Sequence, residues 1–487
     1  MILRPKPPVE EGSFPREPFV QRVIQGLPLA EAVLTLQGYV LQPAFLDGLY
    51  AEHRGHSYQD LLTFPLFVQL IADVLQQDGG SARPGLLRAK KAGALPTGLG
   101  AFYGKLRRLP LSLSVGFVSA ASVRLRDLAP VGPAGAVPAS VAGLEVYMLD
   151  GKKLKRVAKR LLPARKLAGK LFGGKLLVAW QPQSGLALAM AANADGEAND
   201  CRLVPDLLPQ VRRLLPGVRL AVADRQFCDL IQLERFTEDG DHYVVRYSKK
   251  THFHPDPERP GQTGRDAQGR TVLDEWGWLG AATEKRRRYA RRTTLLRPGE
   301  EEIAVVTDLL DAAVYPATDL LALYLERWGI ERVFQQITEV FHLQQLIGST
   351  AQATVFQAAF CLVLYNLIQV VKRYVAADAG TPVALEAIST ELLFRDVERQ
   401  LIALTELAEP AEVVACLPKA LTRAEAVARL TDLLAGAWRP EWRKAVNKKR
   451  RTQGPKAKQS GAHTSIHRVL EKHRQHQKEQ KEAPPNM

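Results

Sequence analysis

Cysteine is scarce in this sequence, and its few residues follow no recognisable pattern. The 487 residues include four cysteines that are widely separated along the chain, at Cys201, Cys228, Cys361 and Cys416. None of them belongs to a CxxC pair or lies in a Cys/His cluster. The spacing therefore predicts neither a zinc site nor a disulfide framework, and it favours a reducing compartment.

Long apolar segments are also missing. The first 18 residues are rich in proline and charge and contain no apolar signal core. The longest apolar run, 355–371, is interrupted by Gln357, Asn366 and Gln369, so it predicts a buried helix and not a membrane span. No internal repeat is visible. We therefore expect a cytoplasmic protein with no membrane partner.

The chain carries an excess of positive charge that is unevenly distributed. Its formal net charge is +15, and 46% of its residues are hydrophobic, as expected of a folded protein. The segment 438–487 holds fourteen Lys/Arg and four Asp/Glu, so it supplies +10 of that charge. This balance indicates a polyanionic partner, nucleic acid before an acidic membrane. Any cationic groove in the body must come from the local placement of a few side chains.

The patterning divides the chain into several regions, as its length also suggests. Apolar residues recur at helical spacing in the first third, whereas short apolar runs that end in Asp or Gly predict strands in the middle. We therefore predict an α/β fold. The predicted regions are a flexible arm (1–18), a helical domain (19–138), an α/β core (139–346) with a β-rich insertion (about 248–300), a helical region (347–437) and a basic, mostly disordered tail (438–487) with a short helix near 466–473.

The most informative motif combines a phenol, a guanidinium and a carboxylate on one predicted helix. Tyr324, Arg327 and Glu331 are three and four residues apart, so they should project from the same face. Guanidinium and phenol groups bind phosphate oxygens, and a carboxylate binds a divalent metal. The alternative reading is a surface ion pair between Arg327 and Glu331. The apolar residues of the motif are interpreted as packing residues, namely Trp328, Ile330, Phe334 and Phe341.

Two further carboxylates follow predicted strands. Asp150 ends one strand and Asp224 ends a later one, so adjacent strands of one sheet would place them side by side. The helix would then bring Glu331 over them. Clustered carboxylates repel one another unless a cation neutralises them, which makes this cluster a candidate divalent-metal site. Asp150-Gly151 also fits a simple turn.

These segments together resemble the signature of the IS4-type DDE transposases. The resemblance covers roughly 140–370 and includes the run 306–316 that leads into the helix. The segments are Asp150-Gly151, Ala223-Asp224-Arg225-Gln226-Phe227 and Tyr324-x-x-Arg327-Trp328-x-Ile330-Glu331-x-x-Phe334.

The resemblance implies that 139–346 form an RNase H-like catalytic core, that the helical domain 19–138 binds DNA, and that the protein performs cut-and-paste DNA transposition. Asp150, Asp224 and Glu331 would be the catalytic and metal-binding residues, holding Mg²⁺, for which Mn²⁺ substitutes. Tyr324 and Arg327 match the family's phosphate-contacting positions. The implied partners are double-stranded DNA, at the terminal inverted repeats and the target, and a second copy of the chain as a homodimer on DNA. The implied setting is the bacterial cytoplasm, at the nucleoid when bound.

The sequence departs from the family in one place. The family often carries a lysine seven residues after the glutamate, and Thr338 stands there. Two other readings therefore stay open: a non-catalytic DNA-binding protein derived from a transposase, and another RNase H-like nuclease without strand transfer.

Further DNA contacts are predicted from basic residues near the acidic motif and in the insertion. Phosphate contacts of this kind position DNA without specifying its sequence. We also hypothesise that Trp276 or Trp278 stacks on a displaced base, although packing is the simpler reading. The predicted DNA-binding residues are Tyr324, Arg327, Arg225, Lys152, Lys153, Arg286, Arg288 and Arg291.

Overall fold

The computed structural model describes most of the chain between 16 and 482. The residues it leaves out within that span are 56–59, 78–81, 131–136, 166, 168, 342, 344–346, 379, 381–382, 409, 418–420 and 445–463. Most of the predicted N-terminal arm and part of the basic tail therefore lie outside the described residues.

The first third of the described chain is helical. Two of its helices begin at prolines, Pro28 and Pro43, whose fixed φ suits the first turn of a helix. The helices are α1 (Arg16–Gln25), α2 (Pro28–Val40), α3 (Pro43–His53), α4 (Phe64–Gln77), α5 (Ala82–Lys91), α6 (Leu99–Arg108) and α7 (Leu111–Leu128).

The middle of the chain alternates strands with short helices. Its first elements are β1 (Glu145–Lys153), α8 (Leu162–Arg165), β2 (Leu171–Phe172), β3 (Lys175–Gln181), β4 (Leu186–Asn193), α9 (Val204–Leu214), β5 (Arg219–Ala223), α10 (Leu230–Phe236) and β6 (His242–Arg246). The later ones are β7 (Phe253–Pro255), β8 (Gln262–Arg265), β9 (Thr271–Leu279), β10 (Arg288–Leu295), β11 (Ile303–Thr307), α11 (Ala317–Glu326) and α12 (Trp328–Glu339).

Ten of the described strands form a single mixed sheet. Its order is β4-β3-β1-β5-β6-β11-β10-β9-β7, and β8 pairs with β9. β1, β5 and β6 are parallel to one another, and the other pairings are antiparallel. The insertion is not a separate sheet, because β11 pairs with β6 on one side and with β10 on the other.

The predicted helix from 317 to 346 is two helices. α11 and α12 meet at Arg327, and α12 ends at Glu339. Gly329 allows α12 to approach β3 closely, because a Cβ there would lie 2.7 Å from the Trp180 ring. The packing interpretation is wrong for Trp328, whose side chain is 56% exposed; the other apolar residues of the motif are buried.

Long helices follow the sheet. They are α13 (Ala351–Ala377), α14 (Thr390–Leu407), α15 (Pro410–Cys416) and α16 (Arg423–Leu434). α13 is the one described helix long and apolar enough to cross a membrane, but its apolar stretch is entirely buried inside the protein. It packs against α7, β4 and α12, so the hydrophobic core is continuous from the N-terminal helices to the sheet.

The C-terminal tail is more ordered than predicted, because the short helix expected near 466–473 is part of a longer ordered segment, 464–482. These residues form β12 (Thr464–Ser465), which pairs with β2, and α17 (Ile466–Glu482). Ile466 is fully buried in a small apolar cluster, and Arg468 forms ion pairs with Asp195 and Glu197. A basic segment can order in this way when a few apolar residues find a partner surface.

The predicted α/β fold class is confirmed. A mixed sheet with a parallel β1-β5-β6 core, flanked by helices from both ends of the chain, is consistent with an RNase H-like core. The domain boundaries stay predictions.

Candidate active site

Parallel pairing brings the two aspartates together. β1 and β5 are adjacent, and their register ends with Leu149 opposite Ala223. Asp150 and Asp224 are the next residues on the two strands, so they lie side by side. Asp224 then begins a short 3-10 turn, while β1 continues past Asp150 to pair with β3.

Arg327 connects the helical part of the site to the sheet. Its Nη2 donates to Glu331 Oε1 at 2.9 Å, and its Nη1 lies 3.7 Å from Asp150 Oδ2. The Tyr324 hydroxyl donates to Asp224 Oδ1 at 3.3 Å. Arg327 is 5% exposed and Tyr324 is 3% exposed. The structure thus brings together the five residues that the motif and the strand ends predicted.

Burial and neighbouring charges shift the pKa values of the cluster residues. Burial raises the pKa of Asp150 to about 6; the charge of Arg327 opposes this shift, and the charges of Glu331 and Asp224 add to it. Burial raises the pKa of Tyr324 above its usual value, so its phenol stays neutral at pH 7. Burial alone would lower the pKa of Arg327, but Tyr324 and Asp150 raise it, and the guanidinium stays charged.

The donor set suits a divalent cation, although Arg327 compensates the acidic charge in this structure. No group of three or more His, Cys, Asp or Glu side chains among the described residues is arranged around one metal position. Carboxylate oxygens are the ligands that Mg²⁺ and Mn²⁺ prefer. Asp150 is buried beside two other acids, and a bound cation would relieve that repulsion. The residues present therefore fit a metal in donor type.

A buried ion pair supports the aspartates, and the sequence interpretation missed it. Lys175 Nζ lies 2.5 Å from Asp200 Oδ1, and both side chains are 6% exposed. Gln226 Nε2, two residues after Asp224, donates to Asp200 Oδ2 at 2.6 Å. Gly151 is required here, because a Cβ would lie 2.2 Å from Asp200 Oδ1. Asn199 caps the short 3-10 turn that begins at Asp200, and the Asp200 carboxylate binds Lys175 and Gln226.

The basic residues nearest to the cluster have different environments. Lys152 Nζ donates to the Phe334 carbonyl at 3.3 Å and lies over the Phe334 ring, so it joins β1 to α12 and does not face an open surface. Lys153 is exposed beside Phe172. Arg225 is 47% exposed and forms an ion pair with Glu301.

The arginines of the insertion are largely neutralised by acids. Arg291 is fully buried and forms a bidentate ion pair with Asp274. The prediction that Arg291 contacts DNA is therefore wrong. The physical reason is strand alternation, which points Arg291 into the interior. Arg286 pairs with Glu234 at 2.7 Å, and the half-buried Arg288 bonds Thr237.

The two tryptophans of the insertion differ in exposure. Trp276 is 1% exposed, and its Nε1 donates to the Leu310 carbonyl, which makes it a packing residue. Trp278 is 38% exposed and lies under the Arg287 guanidinium. The stacking hypothesis therefore rests on Trp278.

Thr338 does not replace the family's lysine. Its hydroxyl donates to the Phe334 carbonyl one turn earlier on α12, at 2.6 Å. A cation from another element lies beside it, because Lys152 Nζ of β1 donates to the same Phe334 carbonyl at 3.3 Å.

Comparison with known proteins is consistent with this geometry. Residues 144–367 match the family described as Transposase DDE domain, and the matched span contains all five residues of the cluster. No curated protein matches the chain significantly. The family generally uses divalent metals and binds DNA. The chain therefore carries a transposase DDE domain, a polynucleotidyl transferase domain of the family that covers the IS4-type transposases.

Proposed function

We propose that this protein is the transposase of a cut-and-paste insertion sequence. It binds terminal inverted repeats, cleaves DNA at the element's ends with Mg²⁺ and joins the ends to target DNA. The observation that carries the proposal is the convergence of Asp150, Asp224 and Glu331 with Tyr324 and Arg327 inside a transposase DDE domain. A structural ion pair needs only one acid, whereas here three acids from β1, the end of β5 and α12 lie around one arginine.

The three carboxylates share one role in this proposal. Asp150 and Asp224, from adjacent strands, and Glu331, from α12, would hold Mg²⁺, with Mn²⁺ as a substitute. Bound divalent metal activates the attacking oxygen and stabilises the leaving oxygen in phosphoryl transfer. The charge on Arg327, which compensates the acids in this structure, is then available to the phosphate.

The neighbouring groups bind and orient the DNA. The Arg327 guanidinium can donate two bonds to phosphate oxygens, and the neutral Tyr324 hydroxyl can donate a third. The guanidinium is held by Glu331, so its position is set before DNA arrives. We also propose that two chains assemble on DNA, because two ends must be brought together.

A second function has one observation in its favour. Thr338 bonds to its own helix and supplies no cation where the family often has lysine. Weaker end binding would follow, so a DNA-binding protein that no longer cuts is the alternative.

Cleavage of a labelled duplex from the DNA flanking the gene tests the proposal. We expect a cut at the repeat boundary that needs Mg²⁺ and is abolished by Glu331→Gln. The matched control is Glu339→Gln on the same helix, since Glu339 pairs only with Gln335 at the surface among described residues. Binding without any cut by the wild-type protein would favour the non-catalytic alternative, and equal loss in both variants would contradict the assignment of Glu331.

A further inference from the structure

A cationic cleft lies apart from the acidic cluster, between α17 and the elements α6, α8 and α13. Its cavity of about 600 Å³ is formed by the end of α6, the segment around α8, the start of α13 and α17. The described residues that line it include no Asp or Glu. The charged or titratable ones are Arg107, Arg108, Arg160, Arg474, His467 and His473.

Within the part of the chain that the structure describes, no acid pairs with the arginines of this cleft, whereas His467 lies 3.3 Å from Glu471 of α17. Arg107, Arg108, Arg160 and Arg474 are exposed. Arg160 also donates to the Ile347 carbonyl and lies over the Tyr103 ring, which orients it without neutralising it. This contrasts with the insertion, where Arg286, Arg291 and Arg292 are each paired with an acid. Unpaired guanidinium groups on one concave surface are suited to a phosphate backbone.

The helix α17, which forms one side of the cleft, is fixed to the core by apolar contacts and hydrogen bonds. Ile466 of α17 is buried with Val157, Ala164, Leu171 and Ala351. Ser465 Oγ accepts from the Gly196 amide at 3.2 Å, and β12 pairs with β2. These contacts hold α17 against the core and place its basic residues opposite those of α6.

A basic segment links the cleft to the acidic cluster. From Asp150 the chain continues to Arg160, with Leu154 and Val157 turned inward. The exposed cations between Asp150 and Arg160 are Lys153, Lys155 and Arg156. Ten residues span at most about 36 Å, which is on the order of one helical turn of B-DNA, about 34 Å. A duplex bound at the cluster could therefore reach the cleft.

We propose that this cleft binds the sugar-phosphate backbone of duplex DNA within about one helical turn of the cleavage site. The N-terminal helices and the C-terminal helix hold the duplex jointly. The choice of duplex DNA as occupant rests on the proposed function. The contacts are to phosphate, so they add affinity and salt dependence but no sequence preference.

The test is fluorescence anisotropy with a labelled 30-base-pair duplex of random sequence over a salt series. The variant is Arg108→Gln with Arg474→Gln, one residue from each side of the cleft. We expect the slope of log K against log salt to fall by about 1.8, since each phosphate contact contributes about 0.9. The matched control is Arg395→Gln with Arg399→Gln on α14, exposed arginines that pair with Glu391 and Asp396. The control should bind as the wild type does.

Three results would overturn the proposal. They are wild-type affinity in the cleft variant, an equal loss in the α14 control, or a loss seen only with phosphatidylserine vesicles or single-stranded DNA. Binding is measured without cleavage, so a protein that binds through the cleft but cuts nothing would refute the proposed function and leave this inference standing.

Discussion

At the scale of single residues, the positive charge of Arg327 offsets the repulsion among the carboxylates of the acidic cluster. It is almost fully buried, bonds Glu331 and approaches Asp150. A buried arginine among acids would be a structural device in most proteins. Here it occupies the position that suits a phosphate-binding group, so the same charge can stabilise the metal-free fold and bind the substrate.

Replacing Arg327 tests that dual role. In Arg327→Gln the three acids lose their compensating charge, and removal of one partner of a buried pair costs about 3–5 kcal/mol. We expect a lower melting temperature in EDTA and a larger rise on adding Mg²⁺ than in the wild type. Arg332→Gln is the control, since Arg332 is 59% exposed and lies 3.9 Å from Glu326. An equal Mg²⁺ response in all three proteins would contradict the prediction.

Thr338 is the second residue on which function depends. Lysine at this position would place a cation one helical turn beyond Phe334, on the face of α12 that carries Glu331. We expect Thr338→Lys to tighten binding to duplex DNA about threefold to tenfold, the effect of one additional phosphate contact. Thr338→Gln controls for side-chain length. The idea fails if the two variants bind duplex DNA equally well.

Trp278 is the third residue with a testable role in function. Its ring is partly exposed, whereas Trp276 is buried and hydrogen-bonded. If Trp278 stacks on a displaced base, Trp278→Ala should lose about 1–3 kcal/mol of affinity for a cleavage-site duplex with an unpaired base. Binding of the fully paired duplex should change little. Equal losses on both duplexes would assign Trp278 to general packing.

At the scale of elements, the site depends on how two strands end. Parallel pairing of β1 with β5 places Asp150 beside Asp224, and the Lys175–Asp200 pair lies beneath Gly151 and binds Gln226. The two strand ends and the turn after Asp224 are therefore held by one buried ionic contact.

Breaking this contact should loosen the strand ends. In Asp200→Asn the buried Lys175 loses its counter-charge, for an expected cost of about 3–5 kcal/mol. The double variant Asp200→Leu with Lys175→Met should recover much of that stability, because an apolar pair leaves no buried charge. Urea unfolding of the single and double variants measures both. The double variant should still cleave poorly, since Gln226 has lost its acceptor; full activity would show that the pair serves stability alone.

At the scale of the whole molecule, elements distant in sequence meet around the core. α17 returns to the segment after β1, and α13 joins the sheet to the N-terminal helices. The segment 438–487 supplies +10 of the net charge of +15, and its helix α17 contributes Arg474 to the cleft.

Deletion of 447–487 tests the tail as a unit. We expect lower affinity for all duplex sequences alike and a flatter salt dependence, because the lost contacts are to phosphate. Anisotropy with terminal-repeat and random duplexes measures both effects. A loss confined to terminal-repeat DNA would contradict this expectation.

The sequence by itself determined the identity of the acidic cluster and the type of its chemistry. Helical spacing placed Tyr324, Arg327 and Glu331 on one face, and apolar runs ending in Asp150 and Asp224 indicated strand ends, because these patterns depend on residues close in the chain. Only the tertiary structure decided which charges are free. Strand alternation and burial paired Arg291 with Asp274, a contact between β3 and the 3-10 turn before α9 paired Lys175 with Asp200, and docking of Ile466 ordered more of the tail than its composition predicts. Such contacts depend on residues distant in sequence, and no local pattern encodes them.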